Sequence, residues 1–147
     1  MLTKYDTCNR KFFVFDSFEG LPARNVLDGD GKFGVKFGAG AYRGSQLTFE
    51  YHLKKFKCFD ETVMRVKKGW FNETMHRSGV QRVSYLRVDG DVFVSTWDAL
   101  NALYSKVVPG GYIYVDDYGS FEGCRKAVNL FRTKHKIYEV SLLLYYQ

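Results

Sequence analysis

Residues 83–98 read Val83-Ser84-Tyr85-Leu86-Arg87-Val88-Asp89-Gly90-Asp91-Val92-Phe93-Val94-Ser95-Thr96-Trp97-Asp98. Val83–Val88 reads as a short β-strand that ends at Asp89-Gly90-Asp91. Ser95, with Asp98 three residues later, is a capping-box-like helix start. Trp97, Leu100, Leu103, Tyr104 and Val107 follow at helical spacing, so the helix has one apolar face. Pro109-Gly110-Gly111 stops it, and Tyr112-Ile113-Tyr114-Val115 reads as a returning strand that ends at Asp116-Asp117. A strand, a helix and a strand in this order predict a parallel pair joined by a right-handed crossover.

The same alternation extends to both sides. Lys11-Phe12-Phe13-Val14-Phe15 is a buried strand ending at Asp16. A Gly-rich polar stretch from Gly20 to Gly44 follows and reads as a long, lid-like surface loop. Its Asp28-Gly29-Asp30-Gly31 lacks the spacing and terminal Glu of a calcium loop. Ser45 caps a helix to about Lys57, with Leu47, Tyr51 and Phe56 among its expected buried positions. Val63–Lys68 is a half-exposed strand broken by Gly69-Trp70-Phe71. After Asp117, an amphipathic helix carries Phe121, Cys124, Val128 and Phe131 and closes with Lys134-His135-Lys136 near its negative end. Tyr138–Tyr146 is strand-like. Strands alternating with helices imply an α/β fold with a mostly parallel sheet covered on both faces.

Composition bounds the function. The 147 residues suit one domain or part of a larger one. Hydrophobic residues at 46% can fill a core, and two prolines with no low-complexity tract argue against disorder. The net charge of +6 comes from scattered Lys and Arg in runs no longer than two, which does not make a nucleic-acid footprint. No apolar run approaches the roughly 18 residues of a membrane span. Lys4, Asp6, Arg10 and Lys11 interrupt any signal-peptide core. Cys8, Cys58 and Cys124 lie far apart without a CxxC, as expected for reduced, mostly packing thiols of a cytoplasmic protein. His52, His76 and His135 have no zinc spacing.

In parallel α/β sheets, ligands collect outside the carboxyl ends of the strands. Three of the predicted strands end in aspartate, at Asp16, Asp89 and Asp116. The 27 residues from Asp89 to Asp116 accommodate one crossover, which returns both to the same rim. Asp89, Asp91, Asp116 and Asp117 would then repel one another and raise each other's pKa values, and a divalent cation removes that conflict. Oxygen-only donors favour Mg²⁺, Mn²⁺ or Ca²⁺ over zinc. Successive strand residues point to opposite faces, so Asp116 and Asp117 share an ion only if the chain bends at Tyr118-Gly119.

Several blocks also carry a family resemblance. Phe15-Asp16-Ser17-Phe18-Glu19-Gly20-Leu21-Pro22, Lys68-Gly69-Trp70-Phe71-Asn72-Glu73-Thr74-Met75 and Leu86–Thr96 resemble, in order, segments of the macrocin O-methyltransferase family. Leu103-Tyr104, Pro109–Tyr112, Asp116–Gly119 and Cys124–Val128 with Phe131-Arg132 continue in register. The resemblance implies a Rossmann-like class I methyltransferase three-layer sandwich. It implies methyl transfer from S-adenosylmethionine to a hydroxyl of a sugar or glycosylated natural product. By the same resemblance Asp89, Asp116 and Asp117 hold Mg²⁺, and Asp16 with Ser17 meets the cofactor ribose. Gly69, Trp70 and Phe71 border the adenine, although core packing explains Trp70 and Phe71 equally well. For Asp91 the expected role is acceptance of the substrate proton.

The family's first strand and Gly-rich cofactor loop have no counterpart before Lys11, so the expectation is an incomplete single domain over 1–147. Residues 10–44 would supply the cofactor strand and lid-like loop, and 45–147 the remaining αβ units with the metal site. A homo-oligomer is compatible with this reading. Two rival readings stand beside it. One is a non-catalytic relative that only binds. The other is a haloacid-dehalogenase-like phosphohydrolase with Asp89 as nucleophile, against which Phe93 stands where that motif needs Thr or Val.

Overall fold

The computed structural model describes residues 8–23, 27 and 38–139. Asp28-Gly29-Asp30-Gly31 and the terminal stretch from Val140, which held most of the expected last strand, lie outside the described residues.

Among the described residues, four strands form two parallel pairs. β1 (Phe12–Asp16) pairs with β2 (Met64–Lys68) in register from Phe12 opposite Met64 to Asp16 opposite Lys68. β3 (Val83–Val88) pairs with β4 (Val107–Val115), Tyr85 lying opposite Tyr112 and Val88 opposite Val115. The strands ending at Asp16 and Asp89 are not hydrogen-bonded neighbours, so the described residues build two sheets and not one. Four helices connect or follow them: α1 (Gln46–Lys55), α2 (Phe71–Thr74), α3 (Phe93–Leu103) and α4 (Glu122–His135). Among the described residues, no helix is long and apolar enough to cross a membrane.

One apolar cluster joins the parts. Leu86 and Val88 of β3, Ala99, Leu100, Ala102 and Leu103 of α3, and Phe131 of α4 are buried together with Met75 and Val80. Phe13 and Phe15 of β1 and Phe71 of α2 pack against this cluster. The strand pleat explains the choice: Leu86 and Val88 point inward, while Tyr85 and Arg87, which alternate with them, face outward.

Three expectations change. Ser95 does not cap α3, which starts at Phe93 with Val92 as its N-cap and no side-chain cap. The Asp89–Asp91 turn is tight enough to feed the helix directly, with the Thr96 N–H already bonded to the Val92 carbonyl. Similarly, α3 ends at Leu103, a short 3₁₀ turn covers Tyr104–Lys106, and β4 begins at Val107. Pro109-Gly110-Gly111 therefore lies within a strand, at an irregularity where two residues of β3 span five of β4. A Cβ on Gly111 would lie 2.9 Å from the Val108 carbonyl, so the backbone folds there only without a side chain. Finally, Ser45 does cap α1, but Leu47, Tyr51 and Phe56 are 79%, 60% and 70% exposed. Periodicity identified the helix, yet no described element covers that face.

Of the cysteines, only Cys124 fulfils the packing expectation; Cys8 and Cys58 are exposed. Burial pushes the Cys124 thiol up to about 12, which makes it inert at neutral pH.

Candidate active site

The turn after β3 is built by close packing. Gly90 is buried against the first turn of α3, with its ideal Cβ position 3.0 Å from the Ser95 Cβ and 3.2 Å from the Thr96 nitrogen. Asp91 follows in the left-handed region at φ 54°, a conformation aspartate tolerates better than most residues. Val92 then donates its N–H to the Gly90 carbonyl. This sequence of constraints leaves Asp89 at the strand tip and Asp91 half-buried above the helix start.

The second acidic pair arrives on β4. The Asp116 N–H donates to the Val88 carbonyl at 3.0 Å, which ties the two strand ends together. The chain then bends: Ser120 and Phe121 both donate N–H groups to the Asp117 carbonyl. The bend turns the Asp117 side chain back toward β3, where its Oδ2 accepts the Asp91 N–H at 3.1 Å. As a result Asp89, Asp116 and Asp117 each offer a carboxylate oxygen within 4.8 Å of the others.

These charges perturb one another. Burial, then the charges of Asp117, Asp89 and Asp116, push Asp91 up to about 7. Burial also pushes Asp117 up to about 6, with Asp89 and Asp116 adding to it against the lowering hydrogen bond from the Asp91 N–H. Asp116 behaves differently. Burial raises it, but hydrogen bonds from Arg87 and Tyr114, together with the Arg87 charge, bring it below the ordinary carboxylate value.

A solvent-open cavity of about 210 Å³ adjoins the acidic turn. Asp16, Ser17, Trp70 and Phe71 line it together with Asp89 and Asp91. Asp16 Oδ1 accepts the Phe18 N–H at 2.6 Å, which fixes the carboxylate's orientation. Ser17 is occupied by its own loop: its hydroxyl donates to the Gly20 carbonyl and accepts the Glu19 N–H. Gly69, at φ +137°, donates its N–H to the Asp16 carbonyl and sets the β2 end beside the β1 end; it does not line the cavity. Asp116 and Asp117 reach the site through the Asp89–Asp91 turn and are not lining residues.

Three further residues escaped the sequence reading. Arg87 bridges Asp89 and Asp116 through one guanidinium nitrogen. Strand alternation puts Arg87 and Asp89 on one face, and that signal was available. Tyr42 lines the cavity, and its hydroxyl is raised by desolvation and by the charges of Asp91 and Asp117. Asp98 also lines it and is raised by burial, with His76 opposing.

The sequence profile of the macrocin O-methyltransferase (TylF) family matches residues 1–142. The chain belongs to that family. It is 34% identical over 139 residues to the demethyldecarbamoylnovobiocin O-methyltransferase of Streptomyces niveus, covering 93% of this chain and 53% of that protein. It is 32% identical to the mycinamicin III 3''-O-methyltransferase of Micromonospora griseorubida, covering 93% of this chain and 55% of the relative. The chain thus spans about half the length of the curated relatives it matches. The O-methyltransferase NovP superposes with a TM-score of 0.76 at 32% identity, over 92% of this chain and 57% of that one. A calicheamicin methyltransferase, at 19% identity and a TM-score of 0.65, shares the fold, over 85% of this chain and 51% of that one. The family fold is therefore Rossmann-like α/β, as the alternation of elements implied. Family membership also removes the phosphohydrolase reading of Asp89.

Proposed function

We infer that this chain takes part in O-methylation, with S-adenosylmethionine as methyl source, Mg²⁺ as cofactor and a hydroxyl of a sugar or glycosylated natural product as acceptor. The observation that carries the reading is the meeting of Asp89, Asp116 and Asp117, from two strand ends, beside a cavity also lined by Asp16 and Trp70. The named relatives are O-methyltransferases of natural products, which supports the acceptor class.

The residues fit both groups. Three carboxylate oxygens within 4.8 Å need only a small contraction to reach the roughly 2.1 Å ligand distance of Mg²⁺, an ion that also retains water positions for exchange. When bound, Mg²⁺ supplies Lewis-acid stabilisation of a deprotonated hydroxyl, and S-adenosylmethionine supplies the methyl group. The chain's own residues then do the positioning and the proton work. Asp91 lines the cavity next to the three carboxylates, where its carboxylate is placed to accept a hydroxyl proton. The Asp16 carboxylate, held by the Phe18 N–H, retains acceptor capacity for paired ribose hydroxyls. Trp70 and Phe71 offer apolar surface to a base, while Phe71 also packs on the core. Alignment of acceptor oxygen and methyl carbon is the remaining contribution.

The test is calorimetry of the purified chain with Mg²⁺ and with S-adenosylmethionine. Asp89→Asn should abolish Mg²⁺ binding with an unchanged circular dichroism spectrum, and Asp16→Asn should weaken only the nucleoside ligand. Binding of neither ligand to the wild-type chain refutes the assignment. A second reading, a non-catalytic relative acting by binding, is favoured by the division of the described strands into two sheets, with β1 and β3 not hydrogen-bonded to each other. Mg²⁺ binding without S-adenosylmethionine binding would select it.

A further inference from the structure

The Mg²⁺ assignment above leaves the role of Arg87 open. Its Nη2 lies 2.8 Å from Asp89 Oδ2 and 2.5 Å from Asp116 Oδ2. A single nitrogen thus sits between two of the three carboxylates that converge at the strand tips. Asp117, the third, makes no ion pair with Arg87; its Oδ2 accepts the Asp91 N–H instead. The Arg87 side chain is 51% exposed, so it can leave for water without unpacking the core.

We propose that Arg87 is a built-in counter-ion that occupies the approach between Asp89 and Asp116 and must be displaced when a divalent cation binds, so that it sets the site's metal affinity. This rests on the Mg²⁺ reading of the three carboxylates. The argument is one of space and charge. A small divalent ion must contact oxygens of both Asp89 and Asp116 at roughly 2.1 Å. The guanidinium nitrogen already lies within hydrogen-bonding distance of both, and two cations crowded between the same carboxylates repel. Binding is therefore an exchange of one cation for another. In the metal-free chain Arg87, paired with both Asp89 and Asp116, offsets the repulsion between those two carboxylates.

An ordinary structural salt bridge predicts something different from a competitor. If Arg87 merely oriented Asp89 and Asp116, its removal would loosen the ligands and weaken metal binding. If it competes, removal strengthens binding and destabilises only the metal-free state.

The experiment titrates MgCl₂, and separately MnCl₂, into the purified wild-type chain and into Arg87→Met, which keeps the apolar stem and removes the charge. Circular dichroism verifies that both are folded, with Arg87→Gln as the second variant should the methionine form not fold. The expected result is a Kd about 5- to 10-fold lower for the variant, a lower melting temperature without metal and a larger rise when metal is added. Equal or weaker binding by the variant, while the wild type binds, overturns the counter-ion role and leaves the metal site standing. Binding by neither protein overturns the metal site and the counter-ion role together. Asp116→Asn on both backgrounds should abolish the heat of binding; retained binding would put the ion away from the Arg87 pair and overturn the proposal.

Discussion

Gly90→Ala probes the turn on which the site is built. The added Cβ would stand 3.0 Å from the Ser95 Cβ, 3.2 Å from the Ser95 carbonyl carbon and 3.2 Å from the Thr96 nitrogen. Two of these atoms belong to the backbone of α3, whose first turn is held by the Thr96 N–H bond to Val92, so they cannot rotate aside as a side-chain tip would. Overpacking of this kind costs roughly 1–3 kcal/mol. The smaller conformational freedom of alanine in the unfolded chain returns about 0.4–1 kcal/mol. A net loss of about 1–2 kcal/mol lowers the melting temperature by roughly 2–8 °C for a chain of this size. Relieving these contacts shifts the Asp89–Asp91 turn away from Asp116 and Asp117, so Mg²⁺ affinity should fall as well. The assay is thermal denaturation in chelator, followed by Mg²⁺ calorimetry. Gly119→Ala is the control, because nothing lies within 4 Å of its Cβ position. A Gly90→Ala protein that melts and binds Mg²⁺ like the wild type would refute the claim that close packing at Gly90 positions the acids.

Protonation of the acidic turn should be visible in stability. Asp91 and Asp117 rise from 3.8 to about 7 and about 6 on folding, so the folded chain holds these protons more tightly. Their contribution is fully present below about pH 4 and is lost as pH rises through 6 and 7. In metal-free buffer, the melting temperature of Asp117→Asn relative to wild type should therefore increase between pH 4 and 7, and a flat difference would contradict the shifts. In the core, Phe131 is 2% exposed, with ring centroids 6.1 Å from Trp97 and 5.1 Å from Tyr104. Phe131→Ala should cost about 3–5 kcal/mol in urea denaturation; a loss below about 1 kcal/mol would show that α4 is not anchored through this ring.

The parts of the fold that were legible are those written in contiguous residues. Val83–Val88 and its Asp89-Gly90-Asp91 exit read correctly because β-propensity, a glycine and a charge change coincide there. The parallel pairing of β3 with β4 followed from the intervening helix. Boundaries that depend on partners did not read. Ser95 looked like a cap because the sequence does not show that Gly90 packs beneath it and lets the helix begin at Phe93. Pro109-Gly110-Gly111 looked like a break because its place in β4 is set by register against β3, which lies more than twenty residues earlier. The face of α1 bearing Leu47 and Tyr51 has helical spacing, but spacing names no partner, and none covers it among the described residues. At the site, the convergence of Asp89, Asp116 and Asp117 was legible from topology. The Arg87 link to Asp116 and the Asp117 bond to the Asp91 N–H were not, since each joins groups brought together only by the finished fold.

This division has an electrostatic consequence. The topology sends two strand tips to one rim, and the sequence places two aspartates beyond each, so folding concentrates like charge whether or not a ligand is present. The chain meets that repulsion in three separate ways. Asp116 pairs with Arg87 and is held below its ordinary pKa. Asp117 takes the Asp91 N–H, a fixed dipole that costs no mobile charge. Asp91 is pushed up to about 7 in the metal-free chain, by burial first and then by the charges of Asp117, Asp89 and Asp116. The crowding that raises Asp91 in the metal-free chain is the same crowding that would draw in a cation, so a bound cation would bring Asp91 back down. A substitution that removes charge at Asp117 should lower the Asp91 pKa as well as weaken metal binding. Substitution at Asp91 itself should leave the three oxygens of Asp89, Asp116 and Asp117 in place. Proton acceptance and metal affinity should then separate in the Asp91 variant and fall together in the Asp117 variant.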